Sequence, residues 1–598
     1  MNDLIIGMAG SGGDGIVSAG ESLIGAVAQE GYYGMLTKSF GPQIRGGESS
    51  CRLRVATLPV LNPGGALDVA VVLDWDDFLR FGSELPVTAD TVIIFEPKSG
   101  VDRTTLPLNG LWPKVMCGVP MEDMAMKTAG AQQAKNSVVL GLLAGWLGLS
   151  PDSLLAGLRK KFARKGDEIL QGNERAFAAG LEHARRTPLG RNLRLDRPTA
   201  PAKKRIIADG NELCARGAIA AGCTFFGGYP ITPATEIMQH LQRDIWEHGG
   251  VVLQAEDEIA GVGAALGASF AGKKAMTATS GPGLSLKTEM LGLASVTELP
   301  LVCVDVQRGG PSTGMPTKCE QADLFAAVFS AHGDTVRPVL APSSVADTFS
   351  LTVEAFNLAE QYQTPVILLS DQELAQRKEI IAPVDASRVR VVNRLEPNAA
   401  ELENYTRFRF TPSGISPLSH PGLKGGNYLA AGIEHDEHGA PTANGEVHGQ
   451  MNNKRLVKFQ PLRRRHDLFV LEGDPDSKLG IIAWGSVAGL ALEALRTVRA
   501  EGLDARLLIP KLLYPIAEEV FAEFFAPLSR CIVFEQSHQG QLHRLIRMWV
   551  DVPKQFESYA RSGANPITPE DIVTQIRTLS RSGTRKSRPV GADLLNPI

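Results

Sequence analysis

The residues best suited to chemistry fall between positions 227 and 324, in four short segments that each pair a polar side chain with a backbone constraint. In GGYPITPATE (227–236), Pro230 and Pro233 fix φ and keep the chain out of a helix until Ala234. Thr232 is thereby held at the carboxyl end of a strand, the edge at which α/β sheets bind ligands. In LQAEDEIAGVGAALGASFAGKKA (253–275), three acids lead into a glycine- and alanine-rich helix. Glu258 precedes Gly263 and Gly267, which lie on one helical face and permit another backbone to approach closely. TSGPGLS (279–285) is a strand end followed by a tight turn through Ser280, Gly281 and Pro282, whose backbone N–H groups could face an anion. VQRGGPSTGMPTKCEQADL (306–324) places Arg308 at a strand end before a glycine-rich loop, where a guanidinium can clamp a carboxylate through two hydrogen bonds. Each segment also has a plain structural explanation: Thr232 as a helix cap, the acids as partners of a helix dipole, Arg308 in a surface ion pair.

Such side chains require parallel strands that end along one edge. The strand-like runs TFFGGYP, KAMTATSG, LVCVDVQ and PVILLSD, separated by alanine-rich helical stretches, meet that need and define an α/β domain over 206–389. It is preceded by an α/β domain over 1–186, expected to hold a parallel sheet, and a proline-rich basic linker at 187–205. An irregular segment at 390–468, rich in Gly, Pro, His, Asn and charge, follows. A third α/β domain spans 469–579, and 580–598 is a basic tail. The expected fold is therefore three doubly wound α/β domains.

In this order, YPITPATE, the Glu258 helix and RGGPSTGMPTKCEQADL resemble the pyrimidine-binding domain of the 2-oxoacid:ferredoxin oxidoreductases. In thiamine enzymes generally the glutamate precedes helix glycines by five and nine residues, and 258 plus 5 is 263 while 258 plus 9 is 267. Glu256 does not fit that spacing. The resemblance implies Glu258, Thr232 and Arg308 as catalytic residues, with Thr232 and Arg308 on the oxo and carboxylate oxygens of a 2-oxoacid. It implies Tyr229, Pro230, Ile231, Glu258, Ser280, Gly281 and Pro282 as contacts of thiamine diphosphate. A carboxylate hydrogen-bonded to N1′ of that cofactor favours the imino tautomer that removes the C2 proton. By the same resemblance the first domain is a γ domain, carried by SFGPQIRGGESS (39–50), and the last, with EQSHQGQL (535–542), a transketolase C-terminal-like domain. A fused γ–α chain most resembles the α subunit of the 2-oxoglutarate-type members. Its expected reaction is oxidation of 2-oxoglutarate with coenzyme A to succinyl-CoA and CO2 with reduction of ferredoxin, or the reverse carboxylation; pyruvate and branched 2-oxoacids remain open. Arg45, Lys318, Gly12 and Gly13 are candidates for the far end of the substrate or for coenzyme A.

What is missing matters as much. The only GDG, Gly13-Asp14-Gly15, is not followed by an asparagine until Asn62, so the Mg²⁺-diphosphate motif is absent. The seven cysteines form no CxxC pair. Both gaps point to a β subunit that supplies the diphosphate site with its Mg²⁺ and a 4Fe-4S cluster, in a heterotetramer of two α and two β chains that shares the thiamine site. Gly10 to Gly15 also spell GxGxxG after a strand, but GYYGMLTKSFG offers no acid for an NAD ribose, which weighs against a dehydrogenase. Glu434, His435, Asp436, Glu437 and His438 crowd together and could suggest a metal, yet a polar loop explains them more simply, and no metal site is expected in this chain. With 21% charged residues and net charge −4, the chain lacks the footprint of a nucleic-acid binder. Its longest apolar stretch, 137–149, falls short of the roughly 18 residues of a membrane span and reads as a buried helix. The amino terminus, MNDLIIGMAG, lacks the basic start of a secretion signal, so a cytoplasmic location is expected.

Overall fold

The computed structural model describes residues 1–11, 15–41, 47–97, 108, 110–163, 165–198 and 204–581. These divide into two compact units, one made of 1–209 with 376–383 and 564–569, the other of the remainder. Most of the basic tail lies outside the described residues.

In the first unit, apolar runs form one eight-stranded sheet in the order Val115–Gly118, Val92–Phe95, Val69–Val72, Asp3–Gly10, Ser49–Ala56, Tyr33–Phe40, Lys378–Ile381 and Ile206–Ala208. The first four strands are parallel, whereas the other pairings are antiparallel. The expected parallel sheet is thus half of the observed one. The reason lies in Tyr33–Phe40 and Ser49–Ala56, whose short connection allows only antiparallel return. Two strands from 206–208 and 378–381, the two ends of what reads in sequence as the second domain, complete this sheet. The apolar stretch near 137–149 is the helix Lys135–Leu147, buried on nearly every side. No helix among the described residues is long and apolar enough to cross a membrane.

The second unit holds two sheets. One has seven strands in the order Leu512–Tyr514, Val339–Leu340, Pro365–Asp371, Leu301–Gln307, Ala275–Thr279, Phe225–Gly228 and Val251–Gln254. All but the first run parallel, so their carboxyl ends share one edge. The other has five, in the order Phe469–Gly473, Arg506–Pro510, Leu479–Ala483, Arg530–Glu535 and Gln555–Ala560, parallel except for the first. A single apolar core runs through both sheets. The segment 390–468 is fastened by buried charges as well as by scattered apolar side chains such as Phe408, Leu418, Phe459 and Leu462, which follow no hydrophobic period. Its helix Gly445–Val457 buries only Met451 and Lys454. Lys454 and the following Lys458 both bond the carboxylate of Glu298, at 2.5 and 3.1 Å.

Candidate active site

The four sequence segments converge at the carboxyl edge of the seven-stranded sheet. After the strand Phe225–Gly228, a turn through Tyr229, Pro230 and Ile231 precedes a cis Thr232–Pro233 bond and the helix Thr235–Asp244. Buried Asn211 fixes that turn by donating to the carbonyl of Pro233 and to Glu236. Thr232 is not the helix cap: Ala234 occupies that position, with no side-chain bond. Arg308, at the end of Leu301–Gln307, donates from Nη1 to the carbonyl of Thr232 at 2.6 Å, which brings these two predicted residues together. Its Nε is buried and has no hydrogen-bond partner among the described residues. Burial pushes the guanidinium pKa down, opposed by the carboxyls of Asp323 and Asp305. The loop beyond Arg308 folds back so that Gly309 N–H donates to the carbonyl of Lys318, placing Lys318 beside the same strand end.

The three acids before the helix Glu258–Phe270 separate by role. Asp257 is the cap, accepting from Ala260 N–H at 2.7 Å, and Glu256 is exposed. Glu258 turns inward and is 8% exposed. Among the described residues no donor reaches its carboxylate. Its backbone carbonyl accepts from Lys287 Nζ at 2.9 Å, an ammonium with no solvent exposure. A Cβ on Gly283 would lie 2.0 Å from Thr279 Oγ1 and 2.8 Å from Glu258 Cγ, so the second glycine of TSGPG makes room for both side chains. The hydroxyl of Ser280, before Gly281 and Pro282, is buried without a partner. An inward carboxylate and an orphan hydroxyl at one sheet edge suit the aminopyrimidine of thiamine diphosphate, which offers both donors and acceptors.

Gly263 and Gly267 do not carry the close approach expected of them within this chain. Gly267 has open space where its Cβ would stand, and Gly263 meets only Met290 at 3.7 Å. The close approach belongs to Gly261, whose Cβ would lie 2.8 Å from the Cα of Gly228. The face bearing Gly267 is exposed, and nearby Tyr229, Leu253, Ile259 and Leu286 are exposed as well.

Comparison with known proteins accounts for this arrangement. Residues 216–454 match the family model described as pyruvate flavodoxin/ferredoxin oxidoreductase, thiamine diphosphate-binding, and residues 5–183 match a second family model described as pyruvate ferredoxin/flavodoxin oxidoreductase. The α subunit of 2-oxoacid:ferredoxin oxidoreductase 2 from Aeropyrum pernix is 30% identical over 98% of this chain and 99% of its own length. The chain belongs to the 2-oxoacid:ferredoxin oxidoreductase family. It is a chain of the α-subunit kind in a thiamine diphosphate-dependent oxidoreductase. The KorA subunit of 2-oxoglutarate oxidoreductase from Mycobacterium tuberculosis is 34% identical over 84% of this chain and 81% of its own. A solved 2-oxoglutarate:ferredoxin oxidoreductase from Magnetococcus marinus, with 2-oxoglutarate, coenzyme A and succinyl-CoA bound, superposes with a TM-score of 0.90 at 37% identity, covering 97% of this chain and 99% of that one. The α/β fold and the α-subunit resemblance read from the sequence agree with these matches.

Other candidates fall elsewhere. Gly12, Gly13 and Arg45 lie outside the described residues. In the 434–438 cluster, Glu434 bonds Arg455 and His448, Asp436 accepts from the N–H groups of His438 and Ala440, and Glu437 accepts from Phe410 N–H. His435 is buried against the ring of Phe408. In EQSHQGQL, Glu535 is fully buried at the start of the helix Gln541–Trp549 and accepts from the N–H groups of Leu542 and His543. The motifs did not single out Lys287, Asp305 or Asp323. Two of them were visible as anomalies, a lysine inside GLSLKTEMLGLA and an aspartate inside LVCVDVQ, since a charge in an apolar run is costly unless it has a task.

Proposed function

We propose that this chain is the α subunit of an enzyme that oxidises 2-oxoglutarate with coenzyme A to succinyl-CoA and CO2, delivering electrons to ferredoxin, and that its active site is completed by a β subunit. The observation that carries the split site is Glu258: an inward carboxylate without a donor, rimmed by the exposed apolar residues Tyr229, Leu253, Ile259 and Leu286. An apolar rim around a polar centre is the signature of a protein interface. Mg²⁺ and the 4Fe-4S cluster are assigned to the β subunit, because the cysteines here are scattered and the diphosphate motif is missing. The assembly proposed is a heterotetramer of two α and two β chains.

Thiamine diphosphate, when bound, supplies a nucleophilic C2 carbon and a sink for the electrons left after decarboxylation. Glu258 holds the proton exchanged with N1′ of the aminopyrimidine. Ser280, Gly281, Pro282, Tyr229, Pro230 and Ile231 line the same edge and would orient the ring. Arg308, with Nε free, receives the substrate's carboxylate, and Thr232, tied to Arg308 through its carbonyl, faces the oxo group. Lys318 is the cation nearest in sequence for the distal carboxylate. Specificity for 2-oxoglutarate rests on relatives named for that substrate.

The test is ferredoxin reduction by the chain with and without its β partner, with 2-oxoglutarate, pyruvate and branched 2-oxoacids each supplied with coenzyme A. Reduction is expected only with both chains and preferentially with 2-oxoglutarate. Turnover by this chain alone would overturn the shared site, and preference for pyruvate would overturn the substrate assignment.

A further inference from the structure

Two carboxyls stand beside Arg308 with no established task. Asp305 sits inside the strand Leu301–Gln307 with no solvent exposure. Asp323 precedes the helix Leu324–Phe329, and its backbone N–H is held by Gln307 Oε1 at 3.0 Å. Its carboxyl lies against Gly281, where a Cβ would come within 2.9 Å of Oδ2. Thr279, two residues before Gly281, pairs with Asp305 across the neighbouring strands, so the Asp323 carboxyl lies beside Asp305. Yet both oxygens of Asp305 and Oδ2 of Asp323 are buried without a donor among the described residues. Two ionised carboxylates are acceptors only, so a contact between them that no other donor bridges requires a proton. Arg308 faces the pair but spends its one hydrogen bond on the carbonyl of Thr232, not on either carboxyl.

We infer that Asp305 and Asp323 share one proton, and that this proton keeps Arg308 available to the carboxylate of the 2-oxoacid. With one proton the pair carries a single negative charge, which balances Arg308 and holds it at the sheet edge. With none, two negative charges would draw the guanidinium inward and oppose an incoming anion. With two, the balance of Arg308 is lost in the other direction. Asp305 and Asp323 are thus positioning residues that act through Arg308. The inference rests on Arg308 receiving the substrate carboxylate, as proposed above.

The electrostatic surroundings agree. Burial pushes Asp305 well above the usual carboxylate range, reinforced by Asp323 and opposed by Arg308. Burial and Glu320 push Asp323 up to about 6, again opposed by Arg308. Cys303, on the same strand as Asp305, is held neutral by burial, its thiol raised to about 12. The second proton therefore binds as pH falls through about 6, and the shared one leaves at higher pH.

The experiment uses the complete complex with its partner subunit. Infrared spectra at neutral pH should show, besides the contribution of Glu535, a protonated carboxyl C=O band that shifts in D2O and disappears in both Asp305→Asn and Asp323→Asn. In steady-state kinetics, the KM for the 2-oxoacid should rise about tenfold per pH unit once the shared proton is lost. Asp305→Asn should flatten that rise, because the asparagine amide is a donor that cannot titrate. Absence of the band in the unsubstituted complex, or its survival in both variants, would overturn the shared proton. A separate arm, Arg308→Lys, tests the underlying reading. An unchanged KM there would overturn Arg308 as the carboxylate site while leaving the infrared result to stand by itself.

Discussion

Glu298 and Arg308 flank the same strand, Leu301–Gln307, and each is buried among charged neighbours, but the two ends are settled in opposite ways. At the amino end the carboxylate is fully paired, although Arg407 Nε, too, is buried without a partner among the described residues. Glu298 takes Lys454 and Lys458 on its carboxylate, and Arg407 donates to its carbonyl at 2.7 Å while Glu298 adopts the left-handed φ of 51°. At the carboxyl end the donors and acceptors do not close: Arg308 Nε and three carboxyl oxygens are left over. A folded chain avoids such remainders unless something else binds there. The closed cluster ties the irregular segment to its domain, and the open one is where we propose that the substrate binds.

The contrast can be broken from either end. The largest effect is expected from Glu258→Gln, which should lower kcat by about 10² to 10⁴-fold without shifting the unfolding midpoint, since the carboxylate bonds nothing in the chain. Normal turnover in that variant would mean that another carboxylate serves the cofactor. Next comes Glu298→Gln, which strands two lysines and should cost about 3–5 kcal/mol in urea unfolding. Burial pushes Glu298 up, but Lys458, Lys454 and Arg407 outweigh it and hold the carboxyl well below its usual range. That stabilisation is complete above the unfolded pKa and is lost as pH falls towards the folded one. The acid limb of unfolding should therefore flatten in the variant, and an unaltered limb would show that the cluster is not tight. Arg308→Lys should come third, with kcat/KM lower by about 10 to 100-fold through loss of the two-pronged grip. Because it sits in the open cluster, stability should barely move.

The smallest effect concerns a third buried acid, Glu535, also at the carboxyl end of a strand but closed by helix N–H groups. Burial pushes it up to about 7, only partly offset by those N–H groups. Its unfolded value is about 4.3. Between these the native state holds more protons than the unfolded one, so stability should fall as pH rises across that window. The slope is at most about 1.4 kcal/mol per pH unit. Glu535→Gln should remove it, as thermal unfolding across a pH series would show; a slope that persists would assign it to other groups.

Much of the active edge was legible in the sequence because local rules place it. Prolines on either side of Thr232, an arginine at a strand end and glycines after a strand fix backbone direction within a few residues. Which glycine meets which backbone was not legible. Gly261, Gly263 and Gly267 all sit on one helix, and only packing selects Gly261 to face Gly228 and leaves Gly267 open. The irregular segment was likewise opaque, because its order comes from ion pairs such as Arg394 with Glu360, whose members are far apart in the chain.

The sequence by itself therefore determined the family and the α/β class and pointed to Glu258, Thr232 and Arg308 as the candidate residues, all through short-range pattern. Only the tertiary structure decided that Lys287 supports the backbone of Glu258, that Asp305 meets Asp323, and that 206–208 and 378–381 complete the first sheet. Burial and the pairing of charges depend on segments brought together from distant positions, and no local pattern encodes which partner a buried charge will find.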